Sequence, residues 1–129
     1  MIKPLKGYKI VEFAGIGPGP YAGMLLADLG AEIIEINRTI PSENGIPLPH
    51  RYDLLRRGKK SISLNIKDKD GKKLANQLID TADALIDPFR PGVLEKLNLG
   101  PDDCFKTNKK LVYGRMTGFG QNGPMANYA

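Results

Sequence analysis

The chain has no tryptophan, a single cysteine, a single histidine and few aromatics, with five tyrosines and four phenylalanines among 129 residues. The lone thiol, Cys104, excludes an internal disulfide and a multi-cysteine zinc site, and fits a reducing compartment. His50 has no second histidine with which to form a metal pair, and its place in a proline-rich loop predicts solvent exposure. Long apolar runs are also missing. Met24-Leu25-Leu26-Ala27 is far short of the roughly 20 residues that a membrane-spanning helix needs. Met1 to Lys6 lacks the apolar stretch of a secretory signal, so a cytoplasmic protein is expected. The aromatics are scattered rather than interleaved with the basic residues, and no recognition-helix motif is present, which argues against a nucleic-acid partner.

What is there has the balance of one soluble globular domain, 41% hydrophobic and 26% charged. Nineteen Lys and Arg against fourteen Asp and Glu leave a net charge of +5. The excess is concentrated in Arg56-Arg57-Gly58-Lys59-Lys60, between Lys67 and Lys73, and between Lys106 and Lys110. Solvated lysines on helix faces account for most charge of this kind. The specific alternative is a phosphate-rich ligand.

Hydrophobic patterning predicts an alternation of strands and helices. Strands are expected at 8–13, 32–36, 61–66, 84–87 and 111–116, and helices at 21–29 and 69–81, with short ones at 93–97 and 101–107. Thr39 to Pro49 reads as a loop. Ser61 to Ile66 alternates polar and apolar, the mark of a strand with one covered face. The order implies an α/β domain with a mostly parallel sheet and flanking helices.

Gly17-Pro18-Gly19-Pro20-Tyr21-Ala22 matches the dinucleotide pattern G-x-G-x-x-A between a strand and a helix, with Glu35 near where a ribose-binding carboxylate would stand. Yet Pro18 and Pro20 remove two of the backbone donors on which a pyrophosphate cradle depends, and Arg38 places a guanidinium near Glu35. A structural turn and a different nucleotide-like ligand both remain open at this point.

Six segments, taken in order, resemble the family III coenzyme A transferases, most closely their α-methylacyl-CoA racemase branch. They are Pro4-Leu5-Lys6-Gly7, Val11 to Pro20, Leu26 to Ala31, Arg57 to Ile62, Arg90-Pro91-Gly92-Val93, and Arg115 to Pro124. The resemblance implies that residues 1–129 form the N-terminal part of a Rossmann-like, CoA-binding large domain, in an enzyme that assembles as an interlocked homodimer. It implies that Arg38 contacts the nucleotide end of an acyl-CoA. It also implies that Leu64, Asn65, Ile66 and Lys67, together with Pro88, Phe89 and Arg90, line the site. Lys96 is expected near the phosphates, and Ile16 at the border of the glycine loop. No separate cofactor is implied, because coenzyme A is part of the substrate.

These residue types suit the ligand. Coenzyme A carries a 3′-phosphate and a pyrophosphate, which call for Arg and Lys, while adenine calls for an apolar slot such as Leu64 and Ile66 could provide. The plain alternative leaves Arg38 and Arg90 paired with surface carboxylates and Lys96 solvated. In the racemases a His of a Gly-His-Asp motif and a later Asp exchange the α-proton, whereas in the transferases an Asp carries the acyl group. Both groups are expected beyond Ala129, so no catalytic residue is assigned and the chain is expected to be an inactive N-terminal fragment. The glycine loop favours the racemase; a transferase and a non-catalytic CoA- or nucleotide-binding module are the alternatives.

Overall fold

The structure is a computed structural model that describes residues 2–40 and 49–128. Strand β1 (Lys9–Phe13) feeds helix α1 (Pro18–Asp28), which returns to strand β2 (Glu32–Asn37). Two short 3-10 turns, His50–Tyr52 and Leu54–Arg56, precede strand β3 (Lys59–Ser63). Helix α2 (Lys69–Asp80), strand β4 (Ala84–Asp87), a 3-10 turn at Glu95–Leu97, helix α3 (Pro101–Thr107) and strand β5 (Val112–Arg115) complete the order. Every strand pairing is parallel, and the sheet runs β3-β2-β1-β4-β5. This is the doubly wound arrangement, in which the direction of winding reverses between β1 and β4.

The pleat divides the core in two. Val11, Phe13, Ile36 and Leu85 face Ala75 and Ile79 of α2, together with Leu94, Leu99 and Cys104. Ile10, Ile33 and Ile86 face Ala22, Leu26 and Ala27 on the α1 side. Helix α1 begins earlier than the sequence pattern predicts, because Pro18 occupies its first turn, where a missing N–H costs nothing. It ends in a Schellman turn: Ala31 N–H donates to the Leu26 carbonyl and Gly30 N–H to that of Ala27, with Gly30 at a φ of +103°.

Strand β3 departs most from expectation. It starts two and ends three residues nearer the N-terminus than predicted, and beyond Lys59 its residues are exposed, because it is the sheet edge. The alternation seen at 61–66 reaches the core only past the strand's end, where Leu64 is buried and Ile66 packs against the α2-side cluster. The segment expected to be helical at 93–97 is a single 3-10 turn, closed by Asn98 in the left-handed region at a φ of 55°. Most of the loop expected between Thr39 and Pro49, and the side chain of His50, lie outside the described residues. None of the described helices is long and apolar enough to cross a membrane.

Candidate functional site

A groove of about 480 Å³ opens over the carboxyl ends of β1, β2 and β3, on the α2 side of the sheet. Each strand contributes at the point where it leaves the ladder: Phe13 and Ala14 from β1, Ile36 to Ile40 from β2, and Leu64 to Lys67 beyond β3. Phe89, Val93 and Leu97 close the opposite wall. The floor is apolar, and Phe13 and Phe89 pack with their ring centroids 5.9 Å apart. Arg38 and Lys67 stand on the rim, and no carboxylate is among the described lining residues. An apolar slot with a cationic rim suits a ligand that joins an apolar part to anionic groups.

Arg38, Leu64, Asn65, Ile66, Lys67 and Phe89 therefore meet in one groove. The other candidates stand elsewhere. Pro88 and Arg90 line, with Phe89, a smaller cleft of about 90 Å³ against Met116, Thr117 and Tyr128. Ile16 is 65% exposed and Lys96 is exposed, and neither lines the groove or the cleft. Ala14, Thr39, Val93 and Leu97 line the groove without having been singled out in the sequence. For Ala14 and Thr39 the available signal was their place just after a strand, where open parallel sheets bind ligands.

The wall from 64 to 67 is held by its own hydrogen bonds. Leu64 N–H donates to the Asn37 carbonyl at 2.9 Å, and Lys67 N–H donates to Asn65 Oδ1 at 3.2 Å. On the opposite wall, Asp87 at the end of β4 is buried, and its Oδ1 accepts the Phe89 N–H at 2.9 Å. Burial pushes the Asp87 carboxyl up to about 6, against the opposing pull of the Phe89 amide and Arg115. Arg115 in turn donates to Glu95 and to Gln121. Cys104 is buried, and burial pushes its thiol up to about 11.

The other flank of the sheet is sealed. Lys59, in the run read as solvated or phosphate-binding, is buried instead: its Nζ donates to Glu12 Oε1 at 2.8 Å and to the Pro20 carbonyl at 2.9 Å. Gly23 makes room for this pair, since a Cβ there would lie 1.9 Å from Glu12 Oε2. Burial raises the Glu12 carboxyl above its ordinary value, with Lys59 opposing the shift. Arg56 donates to Glu35 Oε1 at 2.9 Å and to Asn37 Oδ1 at 2.7 Å, while Arg57 grips Asp28 through two bonds. Glu35 is thus held by Arg56, not left free for a ribose, and Pro88 packs against Gly15 and Gly19 beside the first turn of α1. The dinucleotide reading of the glycine loop fails on both counts. Among the described residues, no group of three or more His, Cys, Asp or Glu could hold a metal ion.

Comparison with known proteins agrees with this fold. The chain is 43% identical over 126 residues to the α-methylacyl-CoA racemase of Mus musculus, covering 97% of this chain and 31% of that protein. It is 40% identical over 131 residues to a probable fatty acyl-CoA transferase of Mycobacterium tuberculosis, covering 95% of this chain and 33% of the relative. The crystal structure of that mycobacterial protein superposes with a TM-score of 0.86 at 39% identity, over 97% of this chain and 36% of the other. The chain thus spans about a third of the length of the relatives it matches. The signature of CoA-transferase family III matches residues 5–129, and the chain belongs to that family.

Proposed function

We propose that the chain is the acyl-CoA-binding N-terminal portion of an α-methylacyl-CoA racemase, an enzyme that epimerises 2-methylacyl-CoA thioesters at the α-carbon. The observation that carries the CoA part is the groove, which joins an apolar floor to Arg38 and Lys67 with no carboxylate among the described lining residues. Adenine suits the floor, and the 3′-phosphate and pyrophosphate suit the guanidinium and ammonium. The racemase part is supported by the 43% identity to the mouse enzyme. In this reading coenzyme A enters as part of the substrate, no further cofactor is needed, and the whole protein is an interlocked homodimer.

The chemistry is a proton exchange. A base removes the α-proton, the electron pair passes into the thioester carbonyl as an enolate, and an acid on the opposite face returns a proton to the α-carbon. Among the described residues that line the groove there is no His, Asp or Glu to fill either role. The 129-residue chain is accordingly expected to bind CoA and to leave 2-methylacyl-CoA unchanged.

A second reading, supported by the mycobacterial relative, is a family III CoA transferase. There an Asp carboxylate displaces the CoA thiolate from the acyl group and carries that group before CoA passes to a second acid. The test is incubation of a 2-methylacyl-CoA in D2O, followed by mass spectrometry. A longer protein carrying this sequence is expected to incorporate deuterium at the α-carbon with loss of stereochemistry. CoA transfer to an added carboxylate without exchange overturns the racemase in favour of the transferase. For the chain alone, saturable CoA binding that weakens when the 3′-phosphate is removed is expected. Lack of binding overturns the CoA reading, and turnover overturns the expected inactivity.

A further inference from the structure

The groove wall that follows β3 turns back onto the first turn of α2, and two residues outside the groove determine how closely it can lie there. Gly71 sits in that turn, and a Cβ on it would stand 2.1 Å from the Asn65 carbonyl oxygen and 2.7 Å from the Asn65 carbonyl carbon. Its backbone is not in the left-handed region, so conformational freedom does not account for glycine here. Glycine inside a helix costs about 1 kcal/mol relative to alanine, and what it provides at this position is space. Asp68 stands at the N-cap of α2, where a carboxylate ordinarily accepts a backbone N–H of the first turn. Its side chain makes no such cap. Instead Oδ2 accepts the Asn65 amide Nδ2 at 2.7 Å, while the Asp68 N–H donates to the Asn65 carbonyl at 3.0 Å. The same Asn65 side chain accepts the Lys67 N–H through Oδ1. The Asn65 amide is therefore fixed at both ends, and the backbone that carries Lys67 to the rim is fixed with it.

We infer that Asp68 and Gly71 are positioning residues for the ligand groove. Asp68 orients Asn65 at the expense of its own helix cap, and Gly71 lets the wall from 64 to 67 seat directly on α2. The inference rests on the CoA reading for its ligand and on backbone geometry for its mechanism, and the two are tested apart.

The variants are Asp68→Ala, Asp68→Asn and Gly71→Ala in the 129-residue chain. They are titrated with CoA and with adenosine 3′,5′-bisphosphate, and backbone amide exchange is followed by NMR. Asp68→Ala is expected to weaken both ligands by roughly 3- to 10-fold, on the scale of one lost intramolecular hydrogen bond. It is expected to speed exchange at the Lys67 amide while leaving the melting temperature close to wild type, because no cap is lost. Asp68→Asn keeps an acceptor for the Asn65 amide and is expected to restore affinity to within about 2-fold. Gly71→Ala is expected to weaken both ligands by about 10-fold or more, since the rigid Asn65 backbone must move.

If Asp68→Ala and Gly71→Ala leave the Lys67 and Asp68 amides exchanging as in wild type, the positioning role is overturned whatever binds. Unchanged affinity in both variants, in a wild type that binds CoA, overturns it equally. If the wild type binds neither ligand, the CoA reading falls, and amide exchange alone decides whether the two residues hold the wall.

Discussion

Beneath α1, Glu12 and Lys59 are paired with side chains 0% and 1% exposed, and Arg56 covers the nearly buried Glu35. Across the same sheet, on the α2 side, Arg38 and Lys67 project over an apolar groove, with no carboxylate among its described lining residues. One flank consumes its cations in closing the fold, and the other leaves Arg38 and Lys67 exposed at the rim of the groove. The difference begins in the helix starts. Pro18 and Pro20 deprive the first turn of α1 of donors, and Pro88 packs against the glycine loop beside it. The loop before α2 instead turns Leu64 to Lys67 into the groove. A parallel sheet of this order offers binding positions along its carboxyl edge, and the side chains decide which of them stays open.

The sealed flank is broken most severely by Lys59→Met, which leaves Glu12 buried without its partner. A loss of about 3–5 kcal/mol is expected in urea denaturation at pH 7, the cost typical of stranding one member of a buried ion pair. Because burial already raises the Glu12 carboxyl, the loss is expected to shrink as the pH falls and Glu12 takes up a proton. Replacing both residues with apolar side chains of similar volume is expected to cost less than Lys59→Met alone. A double variant as unstable as the single one would show that the pair contributes more than mutual neutralisation.

The open flank has its own buried carboxylate, Asp87, with an amide rather than a lysine as its hydrogen-bond donor. Its folded-state value of about 6 lies above the ordinary 3.8, so the native state holds this proton more tightly than the unfolded chain. That contribution is fully present below about pH 4 and is lost as the pH rises to about 6; beyond that, the ionised group costs roughly 3 kcal/mol. Asp87→Asn keeps an acceptor for the Phe89 N–H and removes the charge. The variant is expected to exceed wild type in stability above pH 6 by up to about 3 kcal/mol, and to match it below pH 4. A wild type that is the more stable of the two at pH 8 would mean that Arg115 outweighs burial at this site.

A smaller effect is expected at the seam between the flanks. A Cβ on Gly15 would stand 2.6 Å from Pro88 Cβ, so Gly15→Ala must displace either the glycine loop or the strand-end loop that carries Phe89. Overpacking of this kind costs about 1–3 kcal/mol. Because Phe89 lines the groove, CoA affinity is expected to fall with stability, which separates this variant from one that merely loosens α1.

The two flanks differ in how far the sequence discloses them. Strand and helix order and the parallel sheet follow from hydrophobic period and turn residues, and six of the residues lining the groove, Arg38, Leu64 to Lys67 and Phe89, from family resemblance. Each is a property of contiguous segments. The ion pairs do not follow, because Glu12 and Lys59 lie far apart in the chain and meet only when β1, α1 and β3 are assembled. Lys59 within Arg-Arg-Gly-Lys-Lys has no local feature that tells a buried ammonium from a solvated one. Gly23, which makes room for the pair, looks in sequence like a weak point in a helix. The edge position of β3 is hidden for a related reason. Alternation reports which residues share a face, and the neighbouring helix decides how much of that face is covered.

The mildest test concerns Lys96, which the family resemblance places near the phosphates but which stands exposed and outside the groove lining. Arg38 lines the groove, so Arg38→Met removes a cation from the rim and is expected to weaken CoA binding by about 10-fold, with a shallower salt dependence. Lys96→Met removes an equal charge from the same protein, but one that solvent and salt screen from the groove. A change of less than about 2-fold is expected, comparable with a general loss of one positive charge. Titration of both variants at low and physiological salt gives the comparison directly. Equal weakening by the two would show that the groove senses the total charge of the protein. A large effect at Arg38 alone would place ligand recognition in the geometry at the end of β2.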